Sequence, residues 1–341
     1  MSAKINIPMS IKLGKLLGKG QFGEVYEGSF IDPRDNTSYD SVAIKVLSIS
    51  GPNSAALLES ARKEVRLVQK VLKSNQDEID LPIVKVIAHI ESDDTLFIIM
   101  EKCDGDGVKF AKLIRDLKLK DNFDEVLKIL KKNLIHMCQG LEAVHKSCVV
   151  HRDIKPQNLL IDNTTSFLKI SDFGISCFYR ECKGLAGTKN FMEPICFLST
   201  VFKYKSVMDK STYEYAVCEI NQLSDVFSLG LTFYYFLTGS TLLQSMPKTP
   251  NQYMSALKHV HEQLSNYGKR SDEWNIFTTC LKYMTELVPN DRPTPVQCIA
   301  YLETGDIETL ISDKAKIEKT MYIIKTSNCK DDTTSLNIDN E

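Results

Sequence analysis

The amino-acid sequence predicts an α+β fold with two lobes, a small β-rich N-terminal lobe that carries one main helix and a larger, mostly helical C-terminal lobe. Residues 11 to 45 read as strands separated by glycines, and a helical run extends from Ala55 to Lys73 before the next strands. Beyond residue 107 the apolar residues follow helical spacing, with steps of three or four. They begin with Leu127, Leu130, Leu134, Met137, Leu141 and Val144.

The chain has 341 residues, which suits a two-lobed fold with a tail. It is 43% hydrophobic and 25% charged, with a formal net charge of -2, and these values are typical of a globular protein without a bias toward nucleic acid or membrane surfaces. We therefore expect no nucleic-acid partner, and the partner class has to come from the site. We also expect a monomer.

The cysteines and the chain start bear on the compartment. Ten cysteines are scattered without C-x-x-C spacing, so we expect reduced thiols and a cytoplasmic or nuclear location. No apolar signal run begins at Met1, and Ser2 stands where N-myristoylation requires glycine. The most apolar stretch, Phe227 to Leu237, is about ten residues long, too short to span a bilayer. We expect no signal peptide, membrane anchor or transmembrane segment.

One stretch carries the chemistry. Residues 151 to 158 read H-R-D-I-K-P-Q-N, and Asp172-Phe173-Gly174 follows. Asp153 and Asn158 on an extended loop, with Asp172 further along, could gather a base and two divalent-metal ligands around one triphosphate. Asp and Asn in loops are more often turn residues, so this interpretation depends on other motifs at the right spacing.

A glycine-rich loop precedes this stretch. Its residues are Gly18, Lys19, Gly20, Gln21, Phe22 and Gly23, and glycines let backbone N–H groups close over phosphates. A plain glycine hairpin is the commoner origin of such a pattern. The text continues as a strand from Tyr26 to Phe30, whereas a dinucleotide-binding Rossmann fold would continue with a helix.

A lysine and a glutamate complete the pattern. The stretch Val42 to Lys45 reads as a strand with the lysine directed inward, and a buried ammonium group is costly without an anion. Glu64 lies in the helical run that follows. We predict a Lys45–Glu64 pair that aims the ammonium group at the α- and β-phosphates, although a solvated helix charge is the alternative for Glu64.

Taken in order, these motifs closely resemble those of eukaryotic protein kinases of the serine/threonine type, from about Leu13 to Leu302. The resemblance implies ATP and Mg²⁺ as cofactors and protein substrates with serine or threonine acceptors. It implies that Asp153 accepts the proton of the acceptor hydroxyl, that Lys155 steadies the γ-phosphate, and that Asn158 and Asp172 hold two Mg²⁺ ions. His151 is expected to be a neutral core histidine.

The resemblance also assigns a nucleotide pocket. The glycine-rich loop covers the phosphates, and adenine lies between Val25 and Ala43 above and Leu160 below. Met100 is the gatekeeper, the hinge backbone at Glu101 and Cys103 contacts adenine, and Asp106 is either a ribose ligand or a turn residue.

Two further positions follow from the resemblance. Asp225 matches a buried helix acid that accepts hydrogen bonds from the catalytic-loop backbone. Arg292 matches an arginine that pairs with the glutamate of an Ala-Pro-Glu motif, but this chain reads Glu193-Pro194-Ile195. We predict that Glu193 or Glu214 replaces the missing carboxylate.

The sequences of the activation segment and of the residues that follow it differ from the family pattern. The usual phosphoacceptor position ahead of Gly187 is filled by Cys182-Lys183-Gly184, so we predict activity without activation-loop phosphorylation, even though Arg152 resembles the arginine that clamps such a phosphate. An insertion is expected at about residues 197–219, and it is either a docking site or, slightly favoured, a surface excursion.

Substrate preference is the finest inference. Lys155 and Thr188 indicate a serine or threonine acceptor by resemblance. Relatives that demand arginine carry acids at positions that are Gly107, Gln157 and Tyr235 here. We therefore predict no strong demand for arginine before the acceptor.

The expected organisation is an N-terminal extension at 1–10, a protein kinase domain at 11–302 and a C-terminal tail at 303–341 that is partly disordered. Within the domain we expect an N-lobe at 11–100, a hinge at 101–107 and a C-lobe at 108–302. The leading hypothesis is an ATP-dependent serine/threonine protein kinase. A pseudokinase scaffold that binds nucleotide without turnover is the alternative, and a small-molecule phosphotransferase of related fold ranks third.

Overall fold

The computed structural model describes residues 7–20, 23–49, 54–77, 80–92, 94–182, 186–202 and 222–327. The N-terminal lobe is built on a five-stranded antiparallel sheet with the strand order β1-β2-β3-β5-β4. Its strands are β1 (Ile11–Gly20), β2 (Gly23–Ile31), β3 (Ser38–Ser48), β4 (Val86–Ser92) and β5 (Thr95–Glu101). Helix α1 (Ser54–Ser74) joins β3 to β4.

Burial explains why the middle of this sheet has so few polar residues. Strand β5 has Leu96, Phe97, Ile98 and Ile99 buried in succession, because one face of the sheet has its own core and the other packs on α1. A strand that is covered on both faces reads as a continuous apolar run. The sheet therefore presents α1 with an apolar surface, and this surface sets the position of the helix.

The C-terminal lobe is mostly helical. Its helices are α2 (Gly107–Leu119), α3 (Phe123–Lys146), α4 (Pro194–Phe202), α5 (Gln222–Thr238), α6 (Pro250–Gly268), α7 (Asp272–Met284), α8 (Pro295–Thr304), α9 (Glu308–Ile311) and α10 (Asp313–Ser327). Helix α5 is buried along nearly its whole length and forms the centre of the lobe. The apolar stripe predicted for α3 lies in the same core, with every member buried.

Short strands carry the functional loops between these helices. Strands β6 (Gly105–Asp106), β8 (Leu159–Ile161) and β9 (Leu168–Ile170) form a three-stranded sheet in the order β6-β8-β9. Strand β7 (Val149–Val150) pairs with β10 (Cys177–Phe178). The predicted α+β, bilobal fold is confirmed. In the described part of the chain, none of the helices has the length and apolar character needed to cross a membrane.

The first part of the predicted tail is helical. Helices α9 and α10 occupy residues 308–327 and pack on the C-terminal lobe, where Leu310 and Ala315 are buried. The tail at 303–341 is expected to be partly disordered, and these helices leave that expectation untested. Residues 328–341 lie outside the described residues.

The expectation that the cysteines are all reduced is also wrong. Cys177 and Cys182 form a disulfide, with their Cα atoms 5.3 Å apart. A 3-10 turn at Tyr179–Glu181 folds the chain back between them, and this separation lies within the range that a disulfide spans. No short motif marks this five-residue spacing, so the sequence offered no signal for the bond.

The predicted insertion lies largely outside the described residues. Its first residues, 197–202, belong to α4, and Phe197 is fully buried and stacked on Tyr253 of α6. Residues 197–202 are therefore part of the C-terminal lobe. Residues 203–221 lie outside the described residues, and the choice between a docking site and a surface excursion stays open.

Candidate active site

Strand β3 and helix α1 bring the predicted lysine and glutamate together. The ammonium nitrogen of Lys45 lies 2.7 and 2.8 Å from the two carboxylate oxygens of Glu64, and 3.5 Å from Oδ1 of Asp172. Glu64 occupies the buried face of α1 because Lys45 projects toward that helix from β3. Burial alone would lower the pKa of Lys45, but the Glu64 and Asp172 carboxylates outweigh it and raise that pKa. The lysine is therefore a fixed positive charge facing Asp172.

The backbone of Asp172 adopts an unusual conformation. Its φ angle is +61°, in the left-handed region that non-glycine residues seldom adopt. Burial favours the protonated form, but the Lys45 ammonium and the backbone N–H of Gly174 keep the pKa of Asp172 below its ordinary value. Asp172 is thus an ionised oxygen donor close to Lys45.

The catalytic loop holds the Asp153 carboxylate through three donors. Thr188 donates its hydroxyl to Oδ1 at 2.7 Å, while Lys155 and Asn158 donate to Oδ2 at 2.6 and 3.1 Å. The Asn158 amide nitrogen also donates to the Asp153 carbonyl at 2.9 Å, and Lys155 contacts the Thr188 hydroxyl at 3.0 Å. The Asn158 amide nitrogen is therefore committed to the loop, and its amide oxygen is the atom suited to a cation.

The Asp153 and Asp172 loops are tied together through Asn158. The backbone N–H and the hydroxyl of Ser171 both donate to the Asn158 carbonyl at 2.9 Å. Since Ser171 precedes Asp172, this fixes the second aspartate relative to the catalytic loop. The predicted residues Lys45, Glu64, Asp153, Asn158 and Asp172 therefore form one connected set.

His151 packs and orients the loop. Its Nε2 lies 2.9 Å from the Ser171 carbonyl, its Nδ1 accepts the backbone N–H of Asp153, and its ring meets Phe173 edge to face at 4.9 Å between centroids. One ring nitrogen therefore donates and the other accepts, which is the pattern of a neutral imidazole. These contacts are those of the core histidine that was expected.

Asp225 anchors the catalytic loop from α5 below. Its carboxylate accepts the backbone N–H groups of His151 and Arg152, each at 2.8 Å, and it is fully buried. Burial favours the protonated form, but the hydrogen bonds from the His145 side chain and the His151 backbone lower the pKa of Asp225. The sequence interpretation missed His145. Its signal was a histidine next to Val144 on the buried side of α3.

The residues assigned to the adenine pocket lie on neighbouring strands around the hinge. Val25 of β2 is paired with Lys45, Ala43 of β3 with Met100, and Leu160 of β8 with Asp106. Leu160 thus belongs to the C-terminal lobe, while Val25 and Ala43 belong to the N-terminal sheet. Val25 and Ala43 are therefore on one side of the predicted adenine pocket and Leu160 is on the other. Their contacts with adenine stay predictions.

Three hinge residues have roles in the fold itself. Asp106 caps α2 by accepting the backbone N–H groups of Val108 and Lys109, which is the turn role left open for it. The Glu101 carboxylate accepts the Lys85 N–H at 2.8 Å and the Lys169 ammonium at 2.9 Å, which leaves an adenine contact to its backbone. Burial, with Glu101 next, raises the pKa of Cys103 to about 12, so the thiol is neutral.

Comparison with known proteins decides the family. A sequence model described as "Protein kinase domain" matches residues 11–302. The chain belongs to this family. It is 26% identical to the mitogen-activated protein kinase kinase kinase ANP1 of Arabidopsis thaliana, over 86% of this chain and 40% of the relative. It is 27% identical to a probable myosin light chain kinase of Dictyostelium discoideum, over 84% of this chain and 72% of the relative.

A third relative is the CBL-interacting serine/threonine-protein kinase 2 of Arabidopsis thaliana, 27% identical over 67% of this chain and 43% of the relative. The resemblance to serine/threonine-type protein kinases is therefore confirmed. The chain spans about two fifths of the length of the two mitogen-activated protein kinase kinase kinases that it matches.

The departure from the kinase Ala-Pro-Glu motif is compensated in this kinase domain. Arg292 is fully buried and donates from Nη1 to Oε2 of Glu193 at 2.6 Å. Oε1 of Glu193 accepts the hydroxyl of Ser224 at 2.7 Å. The prediction that Glu193 replaces the missing carboxylate is confirmed, and Glu214 lies outside the described residues. A glutamate two positions earlier reaches the same arginine because α4 begins at Pro194 and leaves Glu193 directed into the core.

The glycine-rich loop of the kinase domain contains two glycines with different constraints. A Cβ at Gly23, where φ is +155°, would lie 2.3 Å from the Val46 carbonyl oxygen, whereas a Cβ at Gly18 would meet no atom within 4 Å. Gly23 is thus required by the approach of β3. The phosphate contact predicted for Gly18 stays a prediction. Gly20 is paired with Gly23, while Gln21 and Phe22 lie outside the described residues.

We expect Gly23→Ala to lower the free energy of unfolding by roughly 1–3 kcal/mol, because the new methyl group collides with backbone and the φ angle is unfavourable for alanine. Gly18→Ala is the matched control and is expected to leave stability unchanged while weakening ATP binding. Chemical denaturation and nucleotide titration of both variants measure these effects. Equal stability of the two variants would contradict the assigned role of Gly23.

Proposed function

We propose that this chain is a protein kinase that uses ATP and Mg²⁺ to phosphorylate serine and threonine hydroxyls of protein substrates. One observation carries the proposal: Lys45 bridges Glu64 and Asp172 in the same structure in which Asp153 is held by Lys155, Asn158 and Thr188. Phosphoryl transfer requires these groups to be in position at the same time, since positioning and charge neutralisation account for most of its catalysis.

The donor set fits the proposed cation. The Asp172 carboxylate and the Asn158 amide oxygen are hard oxygen ligands, which Mg²⁺ prefers, and Asp172 is kept ionised by its surroundings. When bound, Mg²⁺ would neutralise the charge on the phosphate oxygens. Asn158 and Asp172 would hold it from opposite loops, and the Ser171–Asn158 hydrogen bonds fix the separation of those loops.

Asp153 is suited to accept the proton of the acceptor hydroxyl. A carboxylate offers about four lone-pair sites, and the hydrogen bonds from Thr188, Lys155 and Asn158 use three of them. The remaining capacity can receive a hydroxyl while the other bonds prevent rotation. Lys155 also places a positive charge beside the same carboxylate, in position to steady a phosphoryl group.

Transfer of radiolabelled γ-phosphate to an array of peptides with serine, threonine or tyrosine acceptors tests the proposal. We expect label on serine and threonine, with no strong dependence on arginine. The second expectation is supported by Gly107, since a Cβ there would lie 2.5 Å from the Pro156 carbonyl oxygen and leaves no room for an acidic side chain. Label confined to tyrosine would contradict the proposed acceptor class.

The pseudokinase alternative predicts nucleotide binding without transfer. The features that favour it are the altered Glu193-Pro194-Ile195 and the insertion. The buried Glu193–Arg292 pair accounts for the first of these without any loss of the supporting contact. We therefore retain turnover as the proposal. ATP-dependent thermal stabilisation combined with no labelled product on any acceptor would favour the scaffold.

We expect phosphatase treatment to leave phosphoryl transfer unchanged. In the described part of the activation segment, Arg152 lies 3.5 Å from the carbonyl oxygen of Ile175 and 3.7 Å from Sγ of Cys177, so its guanidinium group contacts the segment directly. These contacts hold Arg152 against the activation segment without a phosphate group, and this supports activity without phosphorylation. The measurement is the initial rate before and after phosphatase, with mass spectrometry to verify removal of phosphate. A large fall in rate would contradict this prediction.

A further inference from the structure

The C-terminal helix α10 reaches the buried support of the catalytic loop. The hydroxyl of Tyr322 lies 2.9 Å from Nδ1 of His145, and the two rings meet edge to face. His145 is fully buried near the end of α3, and its Nε2 lies 3.1 Å from Oδ2 of Asp225. Tyr322 is therefore two hydrogen bonds away from the carboxylate that anchors the loop.

The direction of these bonds is set by chemistry. The Asp225 carboxylate can only accept, so His145 donates from Nε2. In the tautomer with its proton on Nε2, Nδ1 is an acceptor and the hydroxyl of Tyr322 is its donor. Burial, followed by the nearby Glu142 and Asp225 carboxylates, raises the pKa of Tyr322 well above its ordinary value, so the phenol keeps its proton. The Tyr322 hydroxyl thus supports the tautomer that donates to Asp225.

The end of this chain of bonds lies beside Asp153. Asp225 accepts the backbone N–H groups of His151 and Arg152, and Arg152 has a φ angle of +71°. A left-handed backbone at a non-glycine residue is unfavourable unless its surroundings hold it. The orientation of the Asp225 carboxylate therefore bears on the conformation of the residue directly before Asp153.

Helix α10 is fixed where Tyr322 needs it. Ala315, Lys319 and Tyr322 follow one face of the helix at spacings of four and three residues. The Ala315 carbonyl accepts the side-chain amide of Gln297 at 2.6 Å, and the Lys319 ammonium donates to the Asn290 carbonyl at 2.5 Å. Polar contacts to α8 and to the turn before it thus help to dock the helix on the C-terminal lobe.

We propose that Tyr322 is a positioning residue for the catalytic loop and acts through His145 and Asp225. The inference rests on the proposed function, in which Asp153 accepts the proton of the substrate hydroxyl. It assigns to the C-terminal helix, which follows the matched family region at 11–302, a direct part in holding the catalytic machinery.

Tyr322→Phe tests the inference because it removes the hydroxyl and keeps the ring. Tyr234→Phe is the matched control, since its hydroxyl donates to Gln263 at 2.6 Å in the same lobe, away from the loop. Two readouts are needed: kcat and KM for ATP with a peptide substrate, and ring nitrogen resonances of protein labelled with ¹⁵N-histidine. The chain contains six histidines, and His145→Asn identifies the signal of interest.

For Tyr322→Phe we expect kcat to fall roughly 3- to 10-fold, the range of one neutral hydrogen bond, with KM for ATP unchanged. The His145 ring resonances should move, because the ring loses its hydrogen-bond partner at Nδ1. Tyr234→Phe should leave both readouts at wild-type values. A purely structural role for Tyr322 would instead lower the stability of Tyr322→Phe and leave kcat unchanged.

An unchanged kcat or unmoved His145 resonances in Tyr322→Phe would overturn the inference. The resonance experiment needs no substrate. If the wild-type protein transfers no phosphate, the proposed function fails, and the His145 ring signals together with the His151 amide signal of the same labelled protein then decide the inference alone.

Discussion

Asp153→Asn is expected to lower the rate of phosphoryl transfer by about 10²–10⁴-fold, the usual contribution of a general base. The amide has nearly the same shape as the carboxylate, but it lacks the negative charge and cannot take up a proton from the acceptor hydroxyl. Nucleotide affinity and thermal stability should change little, because Lys45, Glu64 and Asp172 are untouched. Single-turnover rates and ATP titrations measure the two effects separately.

Asp124→Asn is the matched control for this substitution. Asp124 is exposed in the first turn of α3, so the same chemical change there should leave transfer at the wild-type rate. A wild-type rate in Asp153→Asn, with product on serine or threonine, would show that another group accepts the proton. A loss of nucleotide binding in the same variant would point to a change in the fold of the loop.

Glu193→Ala is expected to lower the free energy of unfolding by roughly 3–5 kcal/mol, the cost of leaving a buried charge without its partner. Arg292 has no exposed side-chain surface and lies over the Phe227 ring. It also donates to the carbonyl groups of Leu223, Glu286 and Leu287, but those acceptors carry no net charge. The loss should appear as a lower denaturant midpoint.

Glu91→Ala is the control because Glu91 pairs with Arg62 at the surface. The Arg62 side chain is 41% exposed and the Glu91 side chain 34%. Such pairs contribute about 0–1 kcal/mol. A Glu193→Leu, Arg292→Met double variant should recover part of the loss, since no charge is left buried. Equal costs for Glu193→Ala and Glu91→Ala would contradict the importance of the buried pair.

Local pattern was sufficient for several of the expectations. The buried Lys45 needed a carboxylate, and the nearest helix offered Glu64 on its apolar side. The apolar stripe of α3 defined the face that packs into the core. The Arg292 expectation came instead from the resemblance to protein kinases, which left Glu193 and Glu214 as candidates for its partner.

Other features had no local signal. The Cys177–Cys182 disulfide depends on the turn between the two residues, and five-residue spacing by itself is uninformative. Helix α10 was predicted as tail because its docking depends on Gln297 and Asn290, which belong to another part of the chain. His145 looked like one more residue beside an apolar stripe until Asp225 was placed against it.

The amino-acid sequence by itself determined the family and the two-lobed fold, because motifs and apolar spacing along the chain report residue chemistry and short-range geometry. The assignment of phosphoryl transfer to particular residues stays a proposal. Only the tertiary structure decided which groups share a hydrogen bond across distant segments. Tyr322, His145, Asp225 and Arg152 illustrate the reason. Their contacts join positions up to 177 residues apart, and such contacts are created by packing of helices that no local pattern specifies.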